Sequence, residues 1–350
     1  MSQQSVLRVE GLVKWFDVTH GLMDMISGKR VFSKAVDGID FEIETGRVFA
    51  LAGESGSGKT TTGRTVLRLT EPTKGKIWFS DVDVASLKDG KLKEYRKQAQ
   101  MVFQDPYQSL NPRQTVFQDI AEPFAIHGLR QSNEQEYDSV ARALEEVHLE
   151  PPEEFIYRYP HELSGGQRQR VAIARALILS PRFIVADEPV SMLDMSVRAG
   201  ILNLLASLIE RHNISILFIT HDLAVARYIS GNMGVMYLGK IVERGVSERI
   251  FERPLHPYTQ ALITAVPVPD PRYKIGDIPI IGEISNSINI PSGCRFHPRC
   301  PYAKPLCREK EPPLRELERD HLVACHFAET IQPPTNHNRP RNDSEREDSA

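Results

Sequence analysis

A strong excess of charge of either sign is lacking in this sequence, which balances 43 lysines and arginines against 46 aspartates and glutamates for a formal net charge of −3. Such a balance gives no general attraction to nucleic acid or to anionic lipid. Long hydrophobic runs are lacking too, because apolar segments such as residues 183–186 and 214–219 are only as long as a core strand. We therefore predict no nucleic-acid partner and no membrane-spanning helix.

A secretory signal and abundant cysteine are also missing. The first four residues, Met-Ser-Gln-Gln, are not a basic region followed by an apolar stretch, so we predict a cytoplasmic protein that reaches a membrane only through partners. The chain has four cysteines, and all of them lie in its last sixth. Clustered cysteines in a cytosolic enzyme are more typical of a metal site than of disulfides.

The length of 350 residues predicts one large domain with an appendage. The large domain is placed at residues 1–253, with antiparallel strands near 7–10, 39–43 and 76–79, a loop or insertion at 17–33, and a mostly helical part at about 105–180. After residue 253 proline becomes frequent and periodicity weakens, which predicts a small second domain at 254–330. Residues 331–350 are polar and proline-rich, so this tail is predicted to be disordered.

A glycine-rich loop carries the pattern G-x-x-x-x-G-K-[ST], which binds nucleotide phosphates. An apolar segment at residues 48–52 predicts a buried strand before it, and a helix is predicted from Lys59 onward. Glycines let backbone N–H groups turn toward phosphate oxygens, and the helix N-terminus favours the anion further. Lys59 would reach the β- and γ-phosphates, while the Thr60 hydroxyl would bind Mg²⁺. The predicted ATP-binding residues of the loop are Gly53, Glu54, Ser55, Gly56, Ser57, Gly58, Lys59, Thr60 and Thr61.

Two acidic residues, Asp187 and Glu188, follow the apolar strand predicted at residues 183–186. Strands and helices alternate from there to residue 229, which predicts a parallel sheet covered on both faces. The carboxyl ends of such strands face the ligand crevice, so both carboxylates should lie beside the phosphates. Asp187 would hold Mg²⁺ through water, and Glu188 would polarise the attacking water as a general base or as a positioning group.

The motif Leu163-Ser164-Gly165-Gly166-Gln167 lies between the glycine-rich loop and the acidic pair, and motifs in this order resemble the ABC ATPases. The resemblance covers about residues 6–250. It implies an α/β fold, that of a P-loop ABC ATPase with a RecA-like core, an antiparallel β subdomain and a helical subdomain that carries the signature motif. The cysteines would lie in a small C-terminal module added to this fold.

Further catalytic roles follow from the resemblance. Gln104 resembles the glutamine that contacts the metal and the water and senses the membrane partner. The Mg²⁺ ion would then be held through Thr60, Gln104 and Asp187. His221 resembles the switch histidine that contacts the γ-phosphate, so Glu188, His221 and Gln104 are the predicted catalytic residues.

The signature motif indicates that such ATPases work in pairs. Its residues 164–166 offer donors at a predicted helix N-terminus, and the resemblance implies that they bind the γ-phosphate held by the opposite subunit. Two ATP molecules would be sandwiched head to tail, closing the dimer on binding and releasing it after hydrolysis. Asp194 lies in a segment that resembles the D-loop. Phe32, or else Trp15, would be the aromatic residue that stacks on adenine.

The chain beyond residue 250 resembles the C-terminal region of ATPases from oligopeptide and dipeptide importers. Residues 253–262 and 293–301 carry this resemblance, as does the run Gln-Asp-Pro-x-x-Ser-Leu-Asn-Pro-Arg at 104–113. It implies an ATP-hydrolysing subunit on the cytoplasmic face of the cell membrane that powers peptide uptake. Its partners would be two transmembrane permeases, a second ABC ATPase subunit, identical or different, and an extracytoplasmic substrate-binding protein.

The cysteine spacing leaves several chemistries open. The four cysteines do not form the paired C-x-x-C knuckles that are usual for zinc, so their spacing suits an iron–sulfur cluster more readily. The subfamily resemblance implies a [4Fe–4S] cluster, with a structural rather than a redox role. Structural zinc, with His297 or His326 in place of a thiolate, and reduced cysteines without metal are the alternatives. The cysteines concerned are Cys294, Cys300, Cys307 and Cys325.

Other cargoes and other ABC ATPases share some of these features. Members of the same broad subfamily carry nickel, glutathione or oligosaccharides, and an ATPase subunit does not touch its cargo. A non-transport ABC ATPase acting on DNA or ribosomes would carry a long coiled-coil insertion or a second ATPase domain, and the sequence has neither. Exporter ATPases are in many families fused to a membrane domain and lack the cysteine-bearing tail. We therefore expect a peptide importer.

Overall fold

The computed structural model describes residues 5–19, 30–266, 280–282 and 286–331, and its strands form two sheets. The smaller sheet is antiparallel and has the order β2-β1-β4-β5. Its strands are β1 (Ser5–Asp17), β2 (Phe32–Glu44), β4 (Lys74–Phe79) and β5 (Val82–Asp83). Strands β1 and β2 pair as far as Asp17 and Phe32, so this hairpin is longer than predicted. Residues 20–29 of the predicted loop lie outside the described residues.

The larger sheet has the order β11-β12-β10-β9-β3-β8-β7-β6. Its parallel strands are β3 (Val48–Ala52), β6 (Ala99–Val102), β7 (Phe183–Asp187), β8 (Ser215–Thr220) and β9 (Asn232–Tyr237). Its antiparallel strands are β10 (Lys240–Val246), β11 (Arg315–Glu318) and β12 (His321–Val323). Strands β3, β7 and β8 are buried along their whole length, which confirms the prediction of a parallel sheet with two covered faces.

The two faces of the parallel strands pack against different partners, as the two-residue period of a strand requires. On β7, Phe183 and Val185 join the apolar cluster of the smaller sheet, whereas Ile184 and Ala186 join the cluster of the helices. The sheet therefore lies between the antiparallel strands and a helical layer.

Helices lie on both faces of the large sheet, because Val66 and Tyr95 join the cluster of the smaller sheet, whereas Ile201 and Leu205 join that of the helical layer. The helices are α1 (Lys59–Val66), α2 (Asp89–Gln98), α3 (Pro106–Ser109), α4 (Val116–His127), α5 (Asn133–Glu146), α6 (Glu153–Ile156), α7 (Gly165–Leu177), α8 (Met195–His212), α9 (Leu223–Ile229), α10 (Ser247–Glu252), α11 (Pro257–Thr264) and α12 (Pro305–Glu309). Helices α3 to α7 lie between residues 106 and 177. Capping boxes begin α4 at Thr115 and α5 at Ser132, which satisfies the free N–H groups of both first turns.

The residues beyond 253 are tied to the large sheet. Strand β12 pairs with β10 and so adds the hairpin β11–β12 to the sheet edge. The fully buried carboxylate of Glu243 on β10 accepts the N–H groups of Leu255 and His256 at 2.7 and 2.9 Å, and it lies 2.8 Å from His321 Nε2. Of the predicted tail, only Ile331 is described. No helix in the described part of the chain is long and apolar enough to cross a membrane.

Candidate nucleotide-binding site

The phosphate-binding loop, residues 53–60, follows the buried strand β3 and leads into α1. Gly53 and Gly58 have φ angles of +149° and +109°, which favour glycine. A Cβ atom at Gly53 would lie 2.2 Å from the carbonyl oxygen of Met236, and one at Gly58 would lie 2.1 Å from that of Ala35. Close backbone approach thus requires both glycines and sets the shape of the loop.

Lysine and threonine at the end of the loop lie where the sequence places them. Lys59 Nζ donates to the carbonyl oxygens of Gly53 and Glu54 at 2.8 and 2.9 Å. Thr60 Oγ1 donates to Asp187 Oδ1 at 2.9 Å, and Asp187 is the last residue of β7. Burial raises the pKa of Asp187 and lowers the pKa of Lys59. Both side chains therefore lie in a poorly hydrated site, where burial disfavours the charged form of each.

Three further predicted residues meet at one carboxylate oxygen. Gln104 Nε2 donates to Glu188 Oε2 at 3.1 Å, and His221 Nδ1 lies 3.0 Å from the same oxygen. These residues follow β6, β7 and β8, which are neighbours in the parallel sheet. Because the carboxyl ends of parallel strands lie at one edge, the fold brings together side chains that are 117 positions apart in sequence at most, from 104 to 221.

A cleft of about 610 Å³ lies over the phosphate-binding loop. This volume is in the range of small-molecule sites in proteins. The lining residues that were predicted from the sequence are Glu54, Ser55, Gly56, Gly58, Lys59, Thr60, Thr61, Gln104, Glu188 and His221. The cleft therefore collects phosphate-binding groups, an acid and a histidine at one place.

The signature motif and Asp194 do not line this cleft in the described residues. Ser164 Oγ accepts the N–H of Gln167 at 3.3 Å and caps α7, with Gln167 Oε1 accepting the N–H of Ser164 in return. Asp194 precedes α8. A Cβ atom at Gly166 would lie 2.5 Å from Val197 Cγ1, so this glycine permits α7 to pack against α8. The signature motif is thus presented at an exposed helix N-terminus.

The four cysteines line one small cavity together with His256, His297 and His326. Burial raises the pKa of Cys294 to about 12 and that of Cys325 to about 11. The cysteines are not joined by disulfides. Within the described residues, however, no group of three or more His, Cys, Asp or Glu side chains has the arrangement of a metal site. The four cysteines therefore line the same cavity, whereas the cysteine module and its ligand stay predictions.

Two family descriptions match this chain. The family described as "ABC transporter" matches residues 36–191, and the one described as "Oligopeptide/dipeptide transporter, C-terminal region" matches residues 242–307. Over 332 residues the chain is 47% identical to the oligopeptide transport ATP-binding protein AppF of Bacillus subtilis (strain 168), with 93% of this chain and 98% of the relative covered. This chain belongs to the ABC transporter family of ATP-binding proteins.

Solved structures agree with this assignment. The ABC ATPase resembles cbiO1 from Clostridium perfringens, part of the ABC transporter complex cbiONQ, with a TM-score of 0.60, 27% identity, and 71% of this chain and 91% of that chain covered. It also resembles the cassette MJ0796, solved as a dimer bound to ADP and Pi, with a TM-score of 0.60, 26% identity, and 69% and 98% covered. The predicted ABC ATPase fold and ATPase activity are confirmed.

Part of the cleft wall of this ABC ATPase was missed by the sequence motifs. Ala35, Leu262 and Ser287 also line the cleft, and two of the three come from the region beyond residue 253. Ser287 is held there because its carbonyl oxygen accepts the N–H of Lys34 at 2.9 Å and its hydroxyl lies 2.7 Å from that of Ser33. Ala35 and Ser287 lie in no motif, and the string 253–262 that ends at Leu262 gives no indication of a contact with the cleft.

The adenine-stacking residue stays a prediction. The rings of Phe32 and Trp15 lie 6.1 Å apart, at the far ends of the paired strands β1 and β2. Among the described residues, neither lines the cleft.

Proposed function

We propose that this chain is the ATP-hydrolysing subunit of an ABC importer that takes up oligopeptides or dipeptides. The observation that carries the proposal is that the 47% identity to an oligopeptide transport protein extends over 93% of the chain. It therefore includes the C-terminal region as well as the nucleotide motifs.

ATP binds in the cleft over the phosphate-binding loop. Its phosphates replace the loop carbonyl oxygens as partners of Lys59, and the loop N–H groups donate to them. Thr60, Asp187 and Gln104 would hold Mg²⁺, with Asp187 acting through water, because their hydroxyl, carboxylate and amide oxygens are the hard donors that this ion prefers. When bound, the ion offsets charge on the phosphates.

Hydrolysis is carried out by the three side chains that meet at Glu188. Its carboxylate takes a proton from the attacking water, while Gln104 and His221 fix the carboxylate through the oxygen they share. His221 also contacts the γ-phosphate and thereby reports that ATP is in place. Support for these roles comes from the convergence of all three on the cleft.

The signature motif serves the ATP of a second subunit. Ser164, Gly165 and Gly166 present donors at the exposed N-terminus of the 13-residue helix α7, where the helix dipole favours an anion. Asp194 lies near this interface, at the start of α8. Pairing of two cassettes head to tail brings each signature motif onto the partner's phosphate-binding loop, and ATP holds the pair closed.

A permease docks beside Gln104. A groove between β6 and α4 exposes apolar side chains, with Leu69 at 47%, Phe103 at 38% and Ile126 at 54% exposure. Contiguous exposed apolar surface of this kind is typical of protein-binding sites. We assign the groove to a short amphipathic helix of the permease. Because Phe103 is adjacent to Gln104, such a helix would act directly on a catalytic residue.

A [4Fe–4S] cluster held by Cys294, Cys300, Cys307 and Cys325 is the proposed occupant of the cysteine cavity, with zinc as the alternative. The support is that all four thiols line that cavity. Sulfur is the donor that both groups take, and binding would release protons from thiols whose pKa is raised by burial. Its role would be to hold together a region that has little core of its own.

The assembly would consist of two ATPases on the cytoplasmic face of the membrane, two permeases and an extracytoplasmic binding protein that delivers the peptide. Affinity purification of the tagged chain from gently solubilised membranes tests this composition. Recovery of two multi-span permeases and a peptide-binding protein, identified by mass spectrometry, is the expected result. Recovery of intact complexes with soluble partners alone would contradict the importer function.

A further inference from the structure

A buried ion pair joins the phosphate-binding loop to residues 286–331, which contain the four cysteines and are called the cysteine-bearing region below. Arg299 Nη1 donates to Glu54 Oε2 at 2.7 Å, and Arg299 Nη2 donates to Glu54 Oε1 at 3.0 Å. The side chain of Arg299 is 7% exposed and that of Glu54 is 22% exposed. A two-point pair between a guanidinium and a carboxylate fixes orientation as well as distance. The position of Glu54 is therefore set by a residue 245 positions further along the chain.

The backbone of Glu54 is held from both sides. Its N–H donates to the hydroxyl of the buried Tyr258 at 2.8 Å, and Tyr258 lies on α11. Its carbonyl oxygen accepts from Lys59 Nζ at 2.9 Å and from the N–H of Ser57 at 3.2 Å. One loop residue thus links the region beyond 253 to the lysine that contacts the phosphates.

Arg299 is itself fixed by the cysteine-bearing region. It ends the helical turn His297–Arg299 and precedes Cys300, which lines the cysteine cavity. Its N–H donates to the carbonyl oxygen of Phe296 at 3.0 Å, and its guanidinium carbon lies 5.9 Å from the centre of the Phe296 ring. A rearrangement of the cavity would move this arginine, because only one peptide bond separates it from Cys300.

We propose that Arg299 is a positioning residue for the phosphate-binding loop, through which the cysteine-bearing region sets the affinity of the loop for ATP. The guanidinium neutralises a carboxylate that would otherwise repel the triphosphate across the cleft. It also holds the loop backbone in the shape that directs N–H groups toward the phosphates. The inference rests on the proposed binding of ATP at this loop.

The test compares ATP binding by the full chain and by three variants. In Arg299→Gln the Glu54 charge is uncompensated, so we expect the dissociation constant of a fluorescent ATP analogue to rise by on the order of 10-fold. In Glu54→Gln the repelling charge is absent, and affinity should fall by less. In the double variant the repulsion is relieved but the two-point pair is still absent, so we expect affinity to recover in part, to about that of Glu54→Gln.

Arg315→Gln is the matched control, because it breaks a two-point pair with Glu329 inside the same region and away from the loop. Its ATP affinity should equal that of the unmodified chain. If Arg299→Gln does not fold by circular dichroism, Arg299→Lys keeps the charge and loses the two-point geometry, and a smaller loss of affinity is expected.

Two results would overturn the inference. Arg299→Gln could lower the thermal midpoint with unchanged ATP affinity, which would make the arginine a docking residue only. The double variant could bind ATP as weakly as Arg299→Gln, which would show that the effect does not pass through Glu54. Failure of the unmodified chain to bind ATP would instead contradict the proposed nucleotide site, so the two failures are distinguishable.

Discussion

At the scale of single residues, one carboxylate organises the nucleotide cleft. Glu188 has a left-handed backbone with φ of +46°, and its side chain is shared by Gln104 and His221. A left-handed conformation in a residue with a side chain persists where its surroundings hold it, and it is common at functional sites. The backbone and both partners thus fix the carboxylate that is proposed to act on water.

Replacing Glu188 by glutamine keeps the shape of the side chain and removes its capacity to accept a proton. We expect hydrolysis to fall by about 10² to 10⁴-fold, while ATP stays bound and the dimer stays closed. Phosphate release and ATP binding, measured on the same preparation, check this. Glu210→Gln, at an exposed position of α8, is the matched control and should be unaffected. Unimpaired hydrolysis in Glu188→Gln would remove this residue from its proposed role.

Cys300 tests the proposed metal ligands at the same scale. We expect Cys300→Ser to lose iron, or zinc, and to lower the thermal midpoint, because a thiolate ligand is replaced by a weak hydroxyl donor. Metal content per chain is measured by mass spectrometry, together with any brown colour. Ser292→Ala changes an exposed serine in the same region and should keep its metal. Unchanged iron in Cys300→Ser would show that the ligand set is wrong.

At the scale of elements, the pattern of apolar residues predicted the bounds of those strands and helices that depend on local sequence. The strand Val48–Ala52 begins and ends where the apolar pattern places it, and the predicted alternation of strands and helices stops at Ile229, the last residue of α9. The first two strands were predicted too short, because their pairing continues through several shifts of register that interrupt the alternation of apolar and polar residues. The alternation of apolar and polar residues is lost at a β-bulge, whereas the hydrogen bonds between the two strands continue beyond it.

Contacts between distant elements were beyond the reach of these patterns. The motifs indicated Lys59, Asp187 and Glu188, because phosphate chemistry restricts residue type and spacing. Nothing comparable marks Ser287, and the string 293–301 that contains Arg299 gives no indication that this residue contacts the phosphate-binding loop. Their partners are set by how the C-terminal region packs on the sheet, and this is a property of the whole fold.

An acidic residue in the first turn of α4 gives an element-scale prediction about pH. Asp119 is fully buried, accepts the N–H of Asn111 at 3.1 Å with one oxygen, and has no hydrogen-bond partner for the other. Burial raises its pKa to about 6 from the ordinary value of 3.8. A raised carboxyl pKa means that folding favours the protonated form, so its cost to stability appears as pH rises from about 4 to about 6.

Asp119→Asn removes this cost. Relative to the unmodified chain, we expect the variant to gain on the order of 3 kcal/mol as pH rises across that interval, and nothing further above it. Thermal midpoints of both proteins at several pH values measure the difference. Asp138→Asn, at an exposed position of α5, should show no such trend. A difference that does not change with pH would contradict the assignment.

At the scale of the whole molecule, the groove between β6 and α4, where we propose that a permease docks, meets the nucleotide cleft at residues 103 and 104. Ile126→Glu places a charge in the groove, so we expect loss of the permeases on affinity purification while the purified chain still hydrolyses ATP. Val82 is a matched control, since it is 49% exposed against 54% for Ile126 and lies outside the groove. Val82→Glu should keep the permeases. Loss of the permeases in both variants, or in neither, would contradict the docking site.

The last prediction concerns the pairing of two ATPase subunits, because the proposed site is divided between them. A dimer of Lys59→Ala copies has two defective loops, and a dimer of Ser164→Arg copies has two defective signature motifs, so each variant alone should be inactive. A mixed dimer contains one site built from the intact loop of one copy and the intact motif of the other. If half of the dimers in an equimolar mixture are mixed, we expect roughly a quarter of normal hydrolysis to return.

A mixture of either variant with Lys59→Ala/Ser164→Arg chains is the control and should stay inactive. No recovery in the first mixture would contradict a head-to-tail pair of identical chains and would leave a different ATPase as the partner.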